Sequence, residues 1–164
     1  MDSHKPHHLH QVIPTKRIYR DPKHPQQLIK GISLDETPRE QIDNEISLQT
    51  IGARLGLSPG ILRTYEDKKA NMFYIVMDSI NGMTLGDFFG PDIPPRVWAE
   101  VRRIVSTLLQ NGIQYVDITP HNFLIEADTE RIYVIDYGHA SRIHLDWFLE
   151  DFLNGHTRWN PDYA

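Results

Sequence analysis

The spacing of apolar residues changes partway along this chain, and the change constrains the fold more than any other feature of the sequence. Before about residue 80 they fall mostly in short blocks of β-forming residues, Gln27–Ile32, Ile61–Tyr65 and Met72–Met77. Two further short strands are expected at Gln11–Ile13 and Lys16–Tyr19, ahead of the breaker Asp21-Pro22-Lys23-His24-Pro25. One helix interrupts this run. Thr37-Pro38-Arg39-Glu40 has the form of a helix start with Thr37 as N-cap, and Ile42, Ile46, Ile51 and Leu55 follow at roughly helical intervals to Gly56. Later segments are mainly helical: a short helix over Thr84–Phe89, and a longer one over Arg96–Asn111, entered through Pro94-Pro95 and stopped at Gly112. Val97, Val101, Ile104, Val105 and Leu108 form the inward stripe of the longer helix. Strands at Phe123–Ile125 and Tyr133–Ile135 flank the acidic turn Glu126-Ala127-Asp128, and a last helix is expected over His144–Leu153. The pattern predicts an α+β fold of two small lobes. The first, about residues 11–80, is β-rich; the second, about 81–164, is a reduced helical lobe. A flexible His-rich segment, residues 1–10 with His4, His7, His8 and His10, precedes them.

With 164 residues, 40% of them hydrophobic, and a net charge of −5, the chain suits one globular domain rather than a disordered segment. The absence of cysteine excludes disulfides, thiolate metal sites and cysteine nucleophiles. A pI near 5.9 gives no electrostatic reason to expect nucleic-acid binding. Met1–Gln11 lacks the apolar core of a signal peptide, and no apolar run reaches the roughly 18 residues of a membrane helix. The expected location is intracellular and cytoplasmic.

The chemistry-bearing residues stand at the edges of short apolar strands. Asp117-Ile118-Thr119-Pro120-His121-Asn122 places a carboxylate and an amide five positions apart on a turn, and Asp136-Tyr137-Gly138 adds a second carboxylate before a glycine. Two oxygen-bearing side chains suit a hard cation such as Mg²⁺, which keeps waters and substrate phosphates in its shell. The remaining carboxylate can orient a hydroxyl. That combination serves phosphoryl transfer.

At these positions the chain resembles the protein kinase superfamily. Tyr115 to Ile125 is similar to the catalytic loop H-R-D-x-x-x-x-N and the strand that follows it, and Val134-Ile135-Asp136-Tyr137-Gly138 is similar to D-F-G. Gln27-Leu28-Ile29-Lys30 resembles the strand carrying the phosphate-holding lysine, Glu45 lies on the helix that supplies its ion-pair partner, and Tyr74 to Gly82 resembles the strand and hinge that hold adenine. The resemblance implies a minimal bilobal kinase-like fold with ATP and Mg²⁺ as cofactors. It also implies roles. Lys30 contacts the α- and β-phosphates and Glu45 fixes it; Asn122 and Asp136 hold Mg²⁺; Asp117 accepts or orients the substrate hydroxyl. Met77 is the gatekeeper, backbone groups of Asp78 and Ile80 face adenine, and Leu28 and Leu124 pack above and below its ring.

The departures are equally definite. No glycine precedes Lys30, so the glycine-rich cover over the phosphates is missing; Tyr115 replaces the catalytic-loop histidine; and the residues after Gly138 are too few for a conventional activation segment and its later helices. Thr119 stands where many serine/threonine kinases have lysine, as in the small atypical kinases of the tRNA threonylcarbamoyladenosine machinery. The resemblance implies a serine/threonine phosphotransferase acting on an unidentified protein. Two alternatives stay open: a pseudokinase serving as a nucleotide-binding or interaction module, and a small-molecule kinase. Trp147, Phe148, Phe152 and Trp159 either pack onto the chain's own helices or offer a surface to a completing subunit.

Overall fold

The computed structural model describes residues 10–13, 17–142 and 146–163. His4, His7 and His8 lie outside the described residues, as do Lys16 and His144 at the predicted starts of a strand and a helix. The first lobe is a five-stranded antiparallel sheet. Its strands are β1 (His10–Ile13), β2 (Ile18–Arg20), β3 (Gln27–Ser33), β4 (Ile61–Asp67) and β5 (Met72–Asp78), in the order β1-β2-β3-β5-β4. Helix α1 (Arg39–Arg54) intervenes between β3 and β4. The centre of the sheet is the β3–β5 ladder, in register from Gln27 opposite Asp78 to Ser33 opposite Met72.

β5 is buried from Met72 to Met77, so its alternating side chains fill two cores. Phe73, Ile75 and Met77 pack with Ile42 of α1 and with Leu28, Leu124 and Ile135, and Met72, Tyr74 and Val76 pack with Tyr19 and Ile29. Leu124 and Ile135 belong to the second lobe, so the first of these cores joins the two.

The second lobe comprises β6 (Gly82–Thr84), α2 (Leu85–Phe89), α3 (Pro95–Gln110), β7 (Phe123–Glu126), β8 (Ile132–Val134) and α4 (Trp147–Leu153). β6, β7 and β8 form a three-stranded antiparallel sheet. Helix α3 buries Val97, Val101, Ile104, Val105 and Leu108, the stripe its periodicity predicts. They pack with Phe123, Ile125, Val134, Tyr137, Phe148 and Phe152. Among the described residues no helix is long and apolar enough to cross a membrane.

Four expectations need correction. Helix α1 is not capped by Thr37: Pro38 takes the cap position, and its carbonyl accepts from the N–H groups of Gln41 (3.0 Å) and Ile42 (3.2 Å). Leu55 lies past the last turn and is exposed, because the chain reverses at Gly56, whose φ of 75° is in the left-handed region. Thr84, expected as the first residue of the short helix, ends β6 and caps α2, its hydroxyl accepting from Asp87 N–H at 3.1 Å. Asp146, expected inside the last helix, is instead the cap before α4, its carboxylate accepting from Phe148 N–H at 2.8 Å. Of the aromatic tail, Phe148 and Phe152 are core residues, whereas Trp147 is 56% exposed.

Candidate active site

Two local ladders create the site. β3 and α1 each carry one charged residue inward, and the β7–β8 hairpin brings the two ends of its ladder together. In that hairpin Phe123 pairs with Val134, so Asn122 and Asp136 emerge side by side, with the Asn122 carbonyl accepting from Ile135 N–H at 3.1 Å. Lys30, Glu45, Asp117 and Asn122 are buried, and Asp136 is nearly so.

Lys30, Glu45 and Asp136 form one connected group. The Lys30 ammonium donates to Glu45 Oε1 and, at 3.1 Å, to Asp136 Oδ1. Gly138 N–H donates to the same Asp136 oxygen at 2.9 Å. Burial by itself pushes the Lys30 ammonium down, and the carboxylates of Asp136 and Glu45 more than reverse this, holding it above the usual lysine value. These side chains line an open polar cavity of about 390 Å³, together with Arg17, Gln41, Gly138 and His139.

Asp117 and Asn122 form the second group. Asn122 Nδ2 donates to the Asp117 carbonyl at 2.8 Å, which turns its Oδ1 the other way. Asn122 Oδ1 and Asp117 Oδ1 are both buried with no protein hydrogen-bond partner. Two such oxygens are costly unless something else satisfies them. An oxygen-seeking divalent cation with attached phosphates fits this need, with Asn122 and the neighbouring Asp136 as its protein donors. Among the described residues no group of three or more His, Asp or Glu side chains could hold a metal without such help.

Tyr115 and Tyr137 connect the groups. The Tyr115 hydroxyl donates to the Asp136 carbonyl at 2.5 Å, and its ring meets those of Phe123 and Tyr137 edge-on. Burial, then the carboxylates of Asp136 and Asp117, push its phenol well above the usual range. Tyr137 reaches under α1, where its hydroxyl bonds Ser58, and burial pushes its phenol up to about 12. Space for it exists because residue 52 is glycine: a Cβ there would lie 2.0 Å from the Tyr137 hydroxyl and 2.9 Å from Ser58 Oγ. Gly52→Ala is therefore expected to destabilise the fold by about 2 kcal/mol, the scale of overpacking a tight core. Urea unfolding checks this, and an unchanged midpoint would contradict the packing.

The remaining sequence candidates lie along the cleft. Leu28, Ile80 and Leu124 line a second cavity of about 80 Å³, with Arg20 and Thr84. Met77 is fully buried, its sulfur accepting from Gln49 Nε2 at 3.6 Å. Asp78 is exposed and its N–H is engaged by the Gly60 carbonyl, while the Ile80 carbonyl accepts from Gly82 N–H. Sequence reasoning does not find Ser58 or Gly52, since neither stands in a motif. Tyr115 was visible only as a replacement, and its bond to Asp136 gives the replacement a purpose.

No protein-family model matches the chain. Over 92 residues, 52% of its length, it is 35% identical to the serine/threonine-protein kinase PrkC of Bacillus subtilis, of which the match covers 14%. Its fold is similar to crystal structures of the Mycobacterium tuberculosis PknI kinase domain, one of them a double mutant. These give TM-scores of 0.54 and 0.51 at 22% and 23% identity, covering 76% of this chain. The chain spans about half of those kinase-domain chains, 55% and 53%.

Proposed function

We propose, from this kinship with the protein kinase superfamily, that the chain is an ATP- and Mg²⁺-dependent phosphotransferase acting on a serine or threonine hydroxyl of a protein. The observation that carries the reading is the buried Lys30–Glu45–Asp136 group set against Asp117 and Asn122, whose outer oxygens have no protein partner. Lys30 holds the α- and β-phosphates, and Glu45 keeps its ammonium in the cleft. Nucleotide phosphates take over the share of that ammonium which Asp136 occupies here, freeing the Asp136 carboxylate. Asn122 and Asp136 hold Mg²⁺, which neutralises charge developing on the transferred phosphoryl group. Asp117, fixed at its own carbonyl by Asn122, orients the acceptor hydroxyl. Leu28, Ile80 and Leu124 supply the apolar slot for adenine.

A second reading is a pseudokinase that binds nucleotide without turnover. It is favoured by the lack of any glycine before Lys30, since backbone amides then do not cover the phosphates as they do in kinases. Mg-ATP at 100 times its dissociation constant should stabilise the protein by about 2.7 kcal/mol, a rise in melting temperature of roughly 5–10 °C for a chain of this size. A melting curve indifferent to millimolar Mg-ATP would end both readings. Transfer of labelled γ-phosphate to a generic protein acceptor, reduced about 100-fold or more in Asp136→Asn, selects the enzyme. Nucleotide binding without transfer selects the pseudokinase.

A further inference from the structure

We propose that Asn160, in the segment after α4, is a positioning residue for the catalytic loop, fixing the backbone on both sides of Asp117. The role rests on the phosphotransferase reading, whereas the contact that performs it does not.

Asn160 lies far from Asp117 in sequence yet is 1% exposed. Its backbone N–H donates to the Ile118 carbonyl at 2.8 Å, and its side-chain Nδ2 donates to the Val116 carbonyl at 2.7 Å. These carbonyls flank Asp117, whose own carbonyl accepts from Asn122 Nδ2. Three consecutive carbonyls, Val116, Asp117 and Ile118, are therefore each held by an amide donor, two of them from one residue. With its backbone pinned on this side, the Asp117 side chain keeps its unpartnered oxygen buried rather than rotating to find a donor.

Asn160 is itself held. Its Oδ1 accepts from Asp162 N–H at 3.0 Å, and its carbonyl accepts from Tyr163 N–H at 3.2 Å. The preceding residue, Trp159, packs its ring 4.4 Å from that of Trp98 on α3 and stacks on Phe123 of β7 at 6.5 Å. Tyr163 closes the segment over His139, ring to ring at 4.9 Å. Segment 159–163 thus spans from the helical core to the residue after Gly138, with the Asp117 turn beneath it. A surface tail needing only to be tied down would not place a fully buried carboxamide against two carbonyls of a catalytic turn.

Asn160→Asp tests the role without changing size. It retains the backbone bond to Ile118 and the acceptor for Asp162 N–H, but removes the Nδ2 donor and sets a carboxylate oxygen against the Val116 carbonyl. Two measurements are made on the full chain: steady-state γ-phosphate transfer, and amide hydrogen exchange. The expected result is a fall in kcat of at least about tenfold with KM for ATP within about twofold, since Lys30 and Glu45 are untouched. Amides of residues 117–122 should exchange at least about tenfold faster while those of α3 do not change. Unchanged exchange in residues 117–122 overturns the proposal, as does faster exchange with kcat intact. If the unmodified protein transfers no phosphate, the phosphotransferase reading is lost and the exchange measurement alone decides whether Asn160 holds the turn. Should the aspartate variant fail to fold, Asn160→Ala removes the donor without adding charge and is held to the same readings.

Discussion

Replacing Asp117 with alanine is expected to cut phosphate transfer by about 10² to 10⁴-fold, the range over which a positioned acid or base contributes, and to leave the protein more stable. The two effects share one cause. The Asp117 carboxylate is buried with an oxygen that no protein group satisfies, so the fold bears its desolvation without a compensating bond. Removing the carboxylate relieves roughly 1 kcal/mol of that burden, and the melting temperature should rise by a few degrees. Groups kept for chemistry often destabilise the proteins that carry them. Transfer within about threefold of the unmodified protein would remove Asp117 from the reaction. A fall in melting temperature of several degrees would instead make it a structural residue.

Lys30→Met is expected to be the most damaging single change to the fold itself. The ammonium is buried between Glu45 and Asp136, with side-chain exposures of 8%, 5% and 17%. Removing it takes the shared ammonium away from two carboxylates packed around it, a defect worth about 3–5 kcal/mol. Chemical denaturation near neutral pH measures this loss. Adding Glu45→Gln to Lys30→Met should restore much of the stability but none of the transfer. An unchanged denaturation midpoint in Lys30→Met would show that the two carboxylates do not depend on Lys30.

What the sequence makes legible here is mostly local or motif-bound. The buried stripe of α3 follows from a helical period within one turn-to-turn pattern, and its five positions are the five found inside. Lys30, Glu45 and Asp136 meet because each stands in a motif whose order implies a fold, although no local rule places them within bonding distance. The misses arise where distant parts of the chain decide. Thr37 reads as a cap, but the residue before a proline is held extended, and the helix takes its first carbonyl from Pro38 instead. Leu55 fits the helical period only until Gly56 reverses the chain. Gly52 gives no sign in sequence of a tyrosine hydroxyl arriving from 85 residues further along, and Asn160 gives none of the turn it contacts. Such pairings depend on tertiary packing and have no periodic signature.

The hydroxyls of Tyr115 and Tyr137 bear on how far the Asp136-Tyr137-Gly138 segment can move. A purely oily stack permits sliding, because its energy changes gradually with displacement. Here, swinging Asp136-Tyr137-Gly138 outward would break two directional bonds at once, Tyr137 to Ser58 and Tyr115 to the Asp136 carbonyl. Each group stranded in the interior costs about 1–3 kcal/mol. The segment is therefore latched, because displacing it breaks both bonds together and leaves a displaced population of a few per cent or less.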